Sequence, residues 1–476
     1  MGQVLQTGTL PVIMNEYKPS YSEVSMNIII AGIGKTGLTL ARQLIAEGHD
    51  ITLIDTNNHV LESAVERYDA MSVCGNSASK EVLLQAGVEN ANLVIATTDA
   101  DEVNLLCCMT AHGINKKLHT IARIRSPQYA EQVMTMPEIF PLSLTVNPEK
   151  RAALEIERLL KFPGFLRRDT FAKGQVAIVE LRIEQDSKLC NVPLNEMSGI
   201  IKCRVLVCAV LRDGSTVAPS GNFVLKAGDR IFVTAPTADL AILLRNLGIV
   251  TRRVRKVLIC GGGRISYYLA KLLEMDKIDV KLIDKDYNRC VEIATLLPET
   301  TVVHGDCSNQ QFLDDQGIQN IDALCSLTGM DETNMLISMY AGFNEVSQVI
   351  TKLSRGENTI VGSLSLGSII SPKELCCNDI VRYVRAMQNQ TGAAISVHSI
   401  ANGQAEAVEF LVDKSAKYQD TPLKKLKLKN NVLIASITHG VKTQIPNGDS
   451  MFTEGDTLVA VTSGRGVLKQ INDIFA

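Results

Sequence analysis

The sequence predicts an α/β protein with two Rossmann-like domains, each a doubly wound parallel sheet followed by a crossover helix and a small α+β lobe. Short apolar strands alternate with amphipathic helices over residues 26–147, and the same order recurs over residues 257–371. Such alternation is typical of a parallel sheet covered by helices on both faces. Both stretches begin with a glycine-rich turn, and a smaller strand-rich segment follows each of them. The chain is therefore interpreted as an internal duplication.

Composition predicts a globular protein of several domains. The chain has 476 residues, of which 46% are hydrophobic and 21% are charged, as in ordinary folded domains. The formal net charge of −3 gives no broad attraction to nucleic acid, so we expect no nucleic-acid partner. No stretch approaches the roughly 18 uninterrupted apolar residues of a membrane span. The 12 cysteines form no C-x-x-C and the seven histidines lack metal-ligand spacing, which predicts reduced thiols, a cytoplasmic location and no metal site.

The first glycine loop has the spacing of a dinucleotide-binding turn. A buried-strand pattern over Asn27–Ala31 leads into Gly32, Gly34 and Gly37, and an amphipathic helix follows. In such a loop the first glycine makes the turn, the second lets the backbone approach a pyrophosphate, and the third permits close helix–strand packing. Asp55 ends the next strand, about 20 residues further on, where an acid accepts hydrogen bonds from ribose hydroxyls. An acid at this position favours NAD over NADP, although methyltransferases also place one after their second strand.

The second half repeats this loop with one departure. Gly261 and Gly263 correspond to the first two glycines, and Asp284 corresponds to the ribose-binding acid. Ser266 replaces the third glycine, so we expect slightly wider packing of helix against strand, without a block to the ligand. The repeat predicts a second nucleotide site of the same design.

Basic residues follow the second glycine of both loops. Lys35 and Arg264 occupy equivalent positions, and Thr36 lies next to Lys35. Either cation could neutralise a phosphate on its own ligand or on one across a subunit boundary. A solvated side chain in the first helical turn explains them equally well.

Two further pairs of polar residues correspond between the halves. Arg123 matches Lys352 near the end of a later strand. Asn76 matches Asp306 in the loop after the third strand, where an adenine could rest. Ordinary loop polarity explains both pairs about as well.

Segments between the repeats define the predicted domains. Each Rossmann-like domain is followed by a helix that begins with a proline, Pro148 or Pro372, as the first helical turn allows. We expect the first of these helices to break at residues 162–165 into two pieces, and both lobes to end in amphipathic helices, at 238–247 and 465–475. The predicted boundaries are a leader or disordered tail at 1–25, Rossmann-like domains at 26–147 and 257–371, crossover helices at 148–173 and 372–400, small lobes at 174–250 and 401–476, and a linker at 251–256.

The sequence offers cofactor binding without a recognisable catalytic group. A dehydrogenase needs an acid–base residue and a substrate pocket, and neither small lobe shows a cluster of His, Lys, Tyr or acidic residues that would supply them. We therefore predict no catalytic residues and a ligand-operated switch. The alternatives are an NAD-dependent oxidoreductase with an unrecognised catalytic site, and a scaffold whose loops are empty.

These motifs resemble the RCK (regulator of potassium conductance) family. The first glycine loop, the strand ending at Asp55 and the segment Thr97–Asn104 are similar to its nucleotide-binding domain. The lobes, with turns at Gly228-Asp229 and Gly455-Asp456, are similar to its small C-terminal domain. The resemblance covers residues 26–476, with two units in tandem.

The resemblance implies a binding function for the loops. It implies that NAD(H), ATP or ADP is held through its pyrophosphate and ribose, with a terminal phosphate at Lys35 or Arg264. It also implies a ring, a homotetramer of tandem chains in which helices such as 148–161 cross between lobes. This ring would dock on a membrane potassium-translocating subunit, on the inner face of the plasma membrane. The resemblance assigns pyrophosphate and ribose contacts to Gly32, Gly34, Gly37, Asp55, Gly261, Gly263 and Asp284. Together with the candidates from the repeat, the predicted cofactor-binding residues are Gly32, Gly34, Lys35, Thr36, Gly37, Asp55, Asn76, Thr97, Thr98, Arg123, Gly261, Gly263, Arg264, Ser266, Asp284, Asp306 and Lys352.

Overall fold

The computed structural model describes residues 25–476, apart from residue 163 and the segments 249–252, 355–365, 388–393, 402–403, 464–467 and 469. The predicted leader lies outside the described residues except for Ser25. The predicted linker at 251–256 is described only from residue 253.

The first unit is a six-stranded parallel sheet with helices on both faces. Its spatial order is β3-β2-β1-β4-β5-β6. The strands are β1 Asn27–Ala31, β2 Asp50–Asp55, β3 Met71–Cys74, β4 Leu93–Ala96, β5 His119–Arg123 and β6 Leu144–Val146. The helices are α1 Lys35–Ala46, α2 Asn58–Val65, α3 Lys80–Gln85, α4 Asp101–Ile114 and α5 Pro127–Thr135.

Side chains of β1 alternate between two cores, which confirms the doubly wound sheet. Ile28 and Ile30 pack in a cluster with Leu40 and Leu44 of α1. Ile29 faces the other way, in a cluster that contains the cysteines of α4. Because successive side chains of a strand point to opposite faces, a strand covered on both sides reads as a continuous apolar run.

The first unit continues into a long helix and a small antiparallel lobe. The helix is α6 Pro148–Lys161. The lobe sheet has the order β10-β9-β11-β8-β7. Its elements are β7 Arg167–Phe171, β8 Val176–Arg182, α7 Met197–Ile201, β9 Leu206–Arg212, β10 Ser215–Val217, β11 Arg230–Pro236 and α8 Leu240–Leu247.

The second unit repeats the first, with sheet order β14-β13-β12-β15-β16-β17. Asn27 pairs with Asp50 in the first sheet and Lys256 pairs with Asp279 in the second, so the register is repeated too. The strands are β12 Lys256–Cys260, β13 Asp279–Asp284, β14 Thr301–His304, β15 Ala323–Ser326, β16 Gln348–Lys352 and β17 Ser368–Ile370. The helices are α9 Arg264–Met275, α10 Tyr287–Leu296, α11 Gln310–Asp315 and α12 Asp331–Phe343.

A second long helix, α13 Pro372–Met387, leads to the second lobe. This lobe is again a five-stranded antiparallel sheet, in the order β18-β19-β22-β20-β21. The strands are β18 Ala394–Ile400, β19 Ala405–Leu411, β20 Val432–His439, β21 Lys442–Gln444 and β22 Thr457–Ser463.

The structure corrects the predicted helices at the ends of the crossover segments. Residues 167–171 form strand β7, where a second helical piece of the segment 148–173 was predicted. Residues 394–400, the end of the segment 372–400 that was assigned to a crossover helix, form strand β18. The periodicity of β7 is hidden because its polar side chains are paired: Arg167 contacts Asp169 at 2.8 Å. Strand β7 pairs with β8 along its whole length. A strand is usually recognised by alternating apolar and polar residues. Strand β7 lacks this alternation because its polar side chains pair with one another.

The predicted terminal helix at 465–475 is also wrong over its described part. Residues Ile471–Ile474 form a single 3-10 turn closed by a capping box between Gln470 and Asp473. Phe475 then forms an isolated bridge with Leu428. Burial of Ile471, Ile474 and Phe475 in the core of the second lobe holds the chain in this shape.

The two halves exchange their long helices. Helix α6 packs on α9 of the second unit, with Ala153 and Ile156 in the same core as Leu269 and Leu273. Helix α13 packs on α1 of the first unit, and its residues Cys376, Cys377, Ile380, Val381 and Val384 belong to the core of that unit. The lobes meet as well, since Phe232 of β11 shares a core with Val459 of β22. Each half therefore completes the hydrophobic core of the other.

Shortening Ile156 should destabilise both halves together. Its side chain is fully buried between α6 and the second unit, so Ile156→Ala leaves a cavity and should lower the free energy of unfolding by about 2–5 kcal/mol. Ile242 of α8 is 41% exposed, and Ile242→Ala is the matched control, with an expected change within about 0.5 kcal/mol. Urea unfolding measures both. Equal effects of the two substitutions would contradict the helix exchange.

No helix in the described part of the chain is both long and apolar enough to cross a membrane. All 12 cysteines are free of disulfide bonds in the structure. Burial raises the pKa of Cys107 and Cys377 to about 12. These thiols therefore act as small apolar side chains in the core.

Candidate nucleotide site

The first glycine loop has the geometry that its spacing predicts. Gly32 has a φ of +88°, and a Cβ at this position would lie 2.6 Å from the backbone nitrogen of Thr98. A Cβ on Gly37 would lie 2.0 Å from the carbonyl oxygen of Gly32. Gly34 is different, because no atom lies within 4 Å of its Cβ position. Gly32 and Gly37 therefore permit the tight turn, and Gly34 faces open space.

The helices that follow both loops begin without a side-chain cap. Gly34 precedes α1 and Gly263 precedes α9, and neither first turn contains an acidic residue. By contrast, Asn147 and Asp286 cap the helices α6 and α10 with their side chains. The uncapped helices leave backbone N–H groups and the positive end of the helix dipole available to an anion.

Asp55 and Asp284 fix their loops in the same way. The Oδ2 atom of Asp55 accepts a hydrogen bond of 2.7 Å from the backbone nitrogen of Ile33, and Oδ1 accepts one of 2.9 Å from Asn57. Asp284 accepts equivalent bonds of 2.5 Å from Gly262 and 2.8 Å from Asp286. Each carboxylate has about four acceptor positions. Both acids therefore hold the loop and retain capacity for further donors.

The second loop accommodates its serine inside the protein. Gly261 has a φ of +102°, and a Cβ there would lie 2.9 Å from Thr328. Ser266 is fully buried, and its Oγ atom has no hydrogen-bond partner in the described structure. Gly263, like its counterpart, faces open space. The serine therefore leaves the entrance to the loop clear.

The two glycine loops face one cavity of about 610 Å³ between the units. The described lining residues include five cations and two acids, so the cavity is positively charged. The first turns of α6 and α13 also reach it. The structure thus brings together the predicted residues Gly34, Lys35, Thr36, Thr97, Arg123, Gly263, Arg264 and Lys352, with Asp99, Glu149 and Lys373 beside them.

Arg123 and Lys352 occupy equivalent positions in this cavity. Arg123 donates a hydrogen bond of 2.7 Å to the carbonyl oxygen of Thr98, and Lys352 donates one of 2.6 Å to that of Thr328. Burial lowers the pKa of Lys352, and the nearby charge of Lys35 lowers it further. Nearby carboxylates raise this pKa and so oppose both effects, but burial is the larger influence. Cations held close together in one cavity favour a bound anion.

Buried asparagines shape this edge of both sheets, and sequence reasoning missed their role. The Oδ1 atom of Asn104 accepts from the backbone nitrogen and hydroxyl of Thr98, and its Nδ2 donates to the carbonyl oxygen of Arg123. Asn334 makes the same bonds with Thr328 and Lys352. The recurrence of Asp-Glu-x-Asn in both halves was the available signal.

Asn76 and Asp306 lie outside the lining of the cavity. The Oδ1 atom of Asn76 accepts a hydrogen bond of 3.0 Å from the backbone nitrogen of Ala78. Asp306 accepts two from Ser308, which hold the pKa of its carboxyl below the usual range. Both residues close turns after the third strands. A contact with adenine stays a prediction for them.

The cavity can bind phosphate but offers few reactive groups. Its described lining contains no histidine, cysteine or tyrosine. In the described part of the chain as a whole, no group of three or more His, Cys, Asp or Glu residues could hold a metal ion. Free helix N-termini and cations are groups that bind phosphate. Asp55 and Asp284 lie outside the described lining of the cavity, and their contact with ribose stays a prediction.

Known proteins share this arrangement of domains. The TrkA-N domain matches residues 28–137 and 257–372, and the TrkA-C domain matches residues 178–248 and 407–475. Over 461 residues the chain is 30% identical to Trk system potassium uptake protein TrkA of Haemophilus influenzae, covering 94% of this chain and 98% of that protein. The chain belongs to the TrkA family. A TrkA homolog of Archaeoglobus fulgidus is 30% identical over 94% of this chain and its whole length, and TrkA of Halomonas elongata is 29% identical over 94% and 98%.

Solved structures confirm the fold of this TrkA-family chain. The crystal structure of the GsuK RCK domain superposes with a TM-score of 0.58 at 17% identity, covering 93% of each chain. The GsuK channel bound to NAD gives a TM-score of 0.57 at 18% identity, over 94% of this chain and 79% of that one. The two Rossmann-like units with small antiparallel lobes are therefore an RCK architecture.

Proposed function

We propose that this protein is a nucleotide-sensing regulatory subunit of a potassium uptake system. The observation that carries the proposal is the pair of glycine loops that face one cation-lined cavity. Membership of the TrkA family supports the link to potassium uptake, and an RCK channel of similar fold is described as bound to NAD. The cofactor is NAD(H), ATP or ADP.

The proposed contacts follow from the loop geometry. The pyrophosphate lies against Gly34 and Gly263 at the uncapped helix ends, with Gly32, Gly37 and Gly261 shaping the turns. Asp55 and Asp284 accept hydrogen bonds from ribose hydroxyls. A terminal phosphate meets the cations of the cavity. The remaining proposed contacts are Lys35, Thr36, Asn76, Thr97, Thr98, Arg123, Arg264, Ser266, Asp306 and Lys352.

The exchanged helices couple the cavity to the lobes. Pro148 and Pro372, the first residues of α6 and α13, line the cavity, and the two helices lead to β7 and β18 of the lobes. A ligand that changes the separation of the loops therefore moves both lobes. To convert a 1:99 population of two conformations to 99:1, the ligand must bind the second conformation about 10⁴-fold more tightly than the first. Several binding sites in one assembly can each contribute part of this difference.

The assembly in this proposal is a ring, a homotetramer, docked on a TrkH- or TrkG-like membrane subunit that translocates potassium. The protein is then cytoplasmic, peripheral on the inner face of the plasma membrane, and not an enzyme. Ligand-dependent movement of the lobes biases the potassium pathway of the membrane subunit. A ligand can do so only through its differential affinity for the two shapes.

Equilibrium dialysis with labelled ATP, ADP and NADH tests the proposal. Asp55→Ala and Asp284→Ala should each weaken nucleotide binding by about tenfold or more, because a charge-assisted hydrogen bond to ribose is lost. Asp55→Asn keeps an acceptor for Ile33 and separates loss of charge from loosening of the loop. The proposal fails if no substitution weakens any nucleotide. A substrate-dependent fall in NADH absorbance would instead support an oxidoreductase.

A further inference from the structure

We propose a second anion-binding site, separate from the nucleotide loops, in the groove between the exchanged helices and the lobes. The groove has a volume of about 1260 Å³ and shares no lining residue with the nucleotide cavity. Its walls come from α5, β6, α6, α9 and α13 and from the edge strands β7 and β18. The ligand that fits it is an organic phosphate: an anionic group attached to an apolar body.

The groove carries more positive than negative charge. Among its described lining residues are seven lysines and arginines and four carboxylates. Three of these carboxylates, Glu155, Asp169 and Asp379, are already shared between cations. Asp169 pairs with Arg167 at 2.8 Å and with His398 at 2.9 Å. Asp379 pairs with Arg151 at 3.0 Å and also with Arg382.

The excess charge is concentrated at Arg158 and Arg168. Arg158 has only a distant contact, at 3.6 Å, with Glu155, which Arg151 also contacts at 3.5 Å. Arg168 forms no ion pair with a described residue, and its buried Nε atom has no hydrogen-bond partner. Its guanidinium lies 4.1 Å from the centre of the Phe162 ring. Burial and then the charge of Arg158 lower the pKa of Arg168.

An oxyanion would satisfy this arrangement. Guanidinium groups bind phosphate through paired N–H donors, and a stacked guanidinium keeps its donor edge open. Burial of an N–H without a partner costs free energy, and a ligand oxygen would supply the partner. The two arginines therefore form the expected phosphate position of the groove.

An apolar wall runs beside the arginines. Helices α6 and α9 lie side by side, since Lys161 at the end of α6 contacts Asp276 at the end of α9 at 3.0 Å. Arg158 is therefore level with Leu272 and Met275, which line the same groove. Met275 is 75% exposed. A hydrophobic body attached to the phosphate would cover this surface.

Isothermal titration with 1-naphthyl phosphate tests the site in the full chain. Lys35→Gln with Arg264→Gln provides a background in which two cations of the nucleotide cavity are removed. Arg158→Gln and Arg168→Gln should each weaken the probe by about tenfold or more in this background. Arg245 is an exposed arginine of α8, outside the groove, and Arg245→Gln should leave the affinity within about twofold.

Thermal unfolding separates binding from folding. Without the probe, Arg168→Gln should change the melting temperature little, because the lost contact with Phe162 is offset by the lost repulsion from Arg158. With the probe, the melting temperature should rise for the parent chain and not for this variant. Unchanged affinity in the Arg158→Gln, Arg168→Gln double variant would overturn the proposal. If the probe no longer binds to the Lys35→Gln, Arg264→Gln variant, the proposal is also overturned, because the probe then binds in the nucleotide cavity of the parent chain.

Discussion

Replacing Gly34 with valine should abolish nucleotide binding to the first unit while leaving the free energy of unfolding unchanged or slightly higher. Gly34 has a φ of −70°, which valine adopts, and no atom lies within 4 Å of its Cβ position. The side chain would occupy the space where a pyrophosphate approaches α1. Loss of two charge-assisted hydrogen bonds from the helix end corresponds to about a hundredfold weaker binding or more. Labelled-nucleotide binding and urea unfolding measure the two quantities.

Two other glycines serve as controls for this prediction. Gly263 is equally open, so Gly263→Val should have the same effect on the second unit. Gly32→Ala should instead destabilise the chain by about 1–3 kcal/mol, because its Cβ meets the backbone of Thr98 at 2.6 Å and its φ is +88°. If Gly34→Val binds nucleotide like the parent chain, the first loop is not a pyrophosphate site.

The proposed contact of Lys35 and Arg264 with a terminal phosphate predicts tighter binding of ATP than of ADP, and removing both charges should abolish this preference. Both side chains line the same cavity although they belong to different units, and in the proposed complex one terminal phosphate contacts both. Each charge-assisted contact contributes about 1.5–3 kcal/mol. The double substitution to glutamine removes two such contacts and should therefore weaken ATP by about a hundredfold or more, and ADP far less. Competition between ATP and ADP for the purified protein measures the ratio.

Charge removal elsewhere controls for a general effect. Lys226 and Arg245 belong to the first lobe and do not line the nucleotide cavity. Lys226→Gln with Arg245→Gln changes the net charge by the same amount and should leave the ATP-to-ADP ratio unchanged. An equal loss of both nucleotides in the Lys35, Arg264 variant would show that these cations do not read the terminal phosphate.

The fold was predictable because both sheets are covered on two faces. Buried parallel strands such as Asn27–Ala31 and Lys256–Cys260 appear in the sequence as apolar runs between amphipathic helices. Because the same pattern occurs in both halves of the chain, each half supports the strands predicted in the other. The edge strand β7 was not predictable, since Arg167 and Asp169 satisfy each other by charge pairing. The C-terminal turn was missed because Ile471 and Ile474 have helical spacing but pack in the lobe core.

The candidate site was predictable only within each unit. Local spacing identified the glycines and the acids Asp55 and Asp284, whose hydrogen bonds close each loop. Lys35 and Arg264 line one cavity because the exchange of α6 and α13 brings the two units together. Contacts between distant segments leave no local signal in the sequence. Asn104 was missed because its importance lies in bonds to Thr98 and Arg123, which only the folded sheet brings together.

Native mass spectrometry tests most directly whether the facing loops hold nucleotide within an assembly. The purified chain, with ATP, ADP or NADH added, should give an oligomer whose mass includes bound nucleotide. The Gly34→Val, Gly263→Val double variant should give the same oligomer without that added mass. An oligomer of identical mass with and without each nucleotide, in both proteins, would contradict the account.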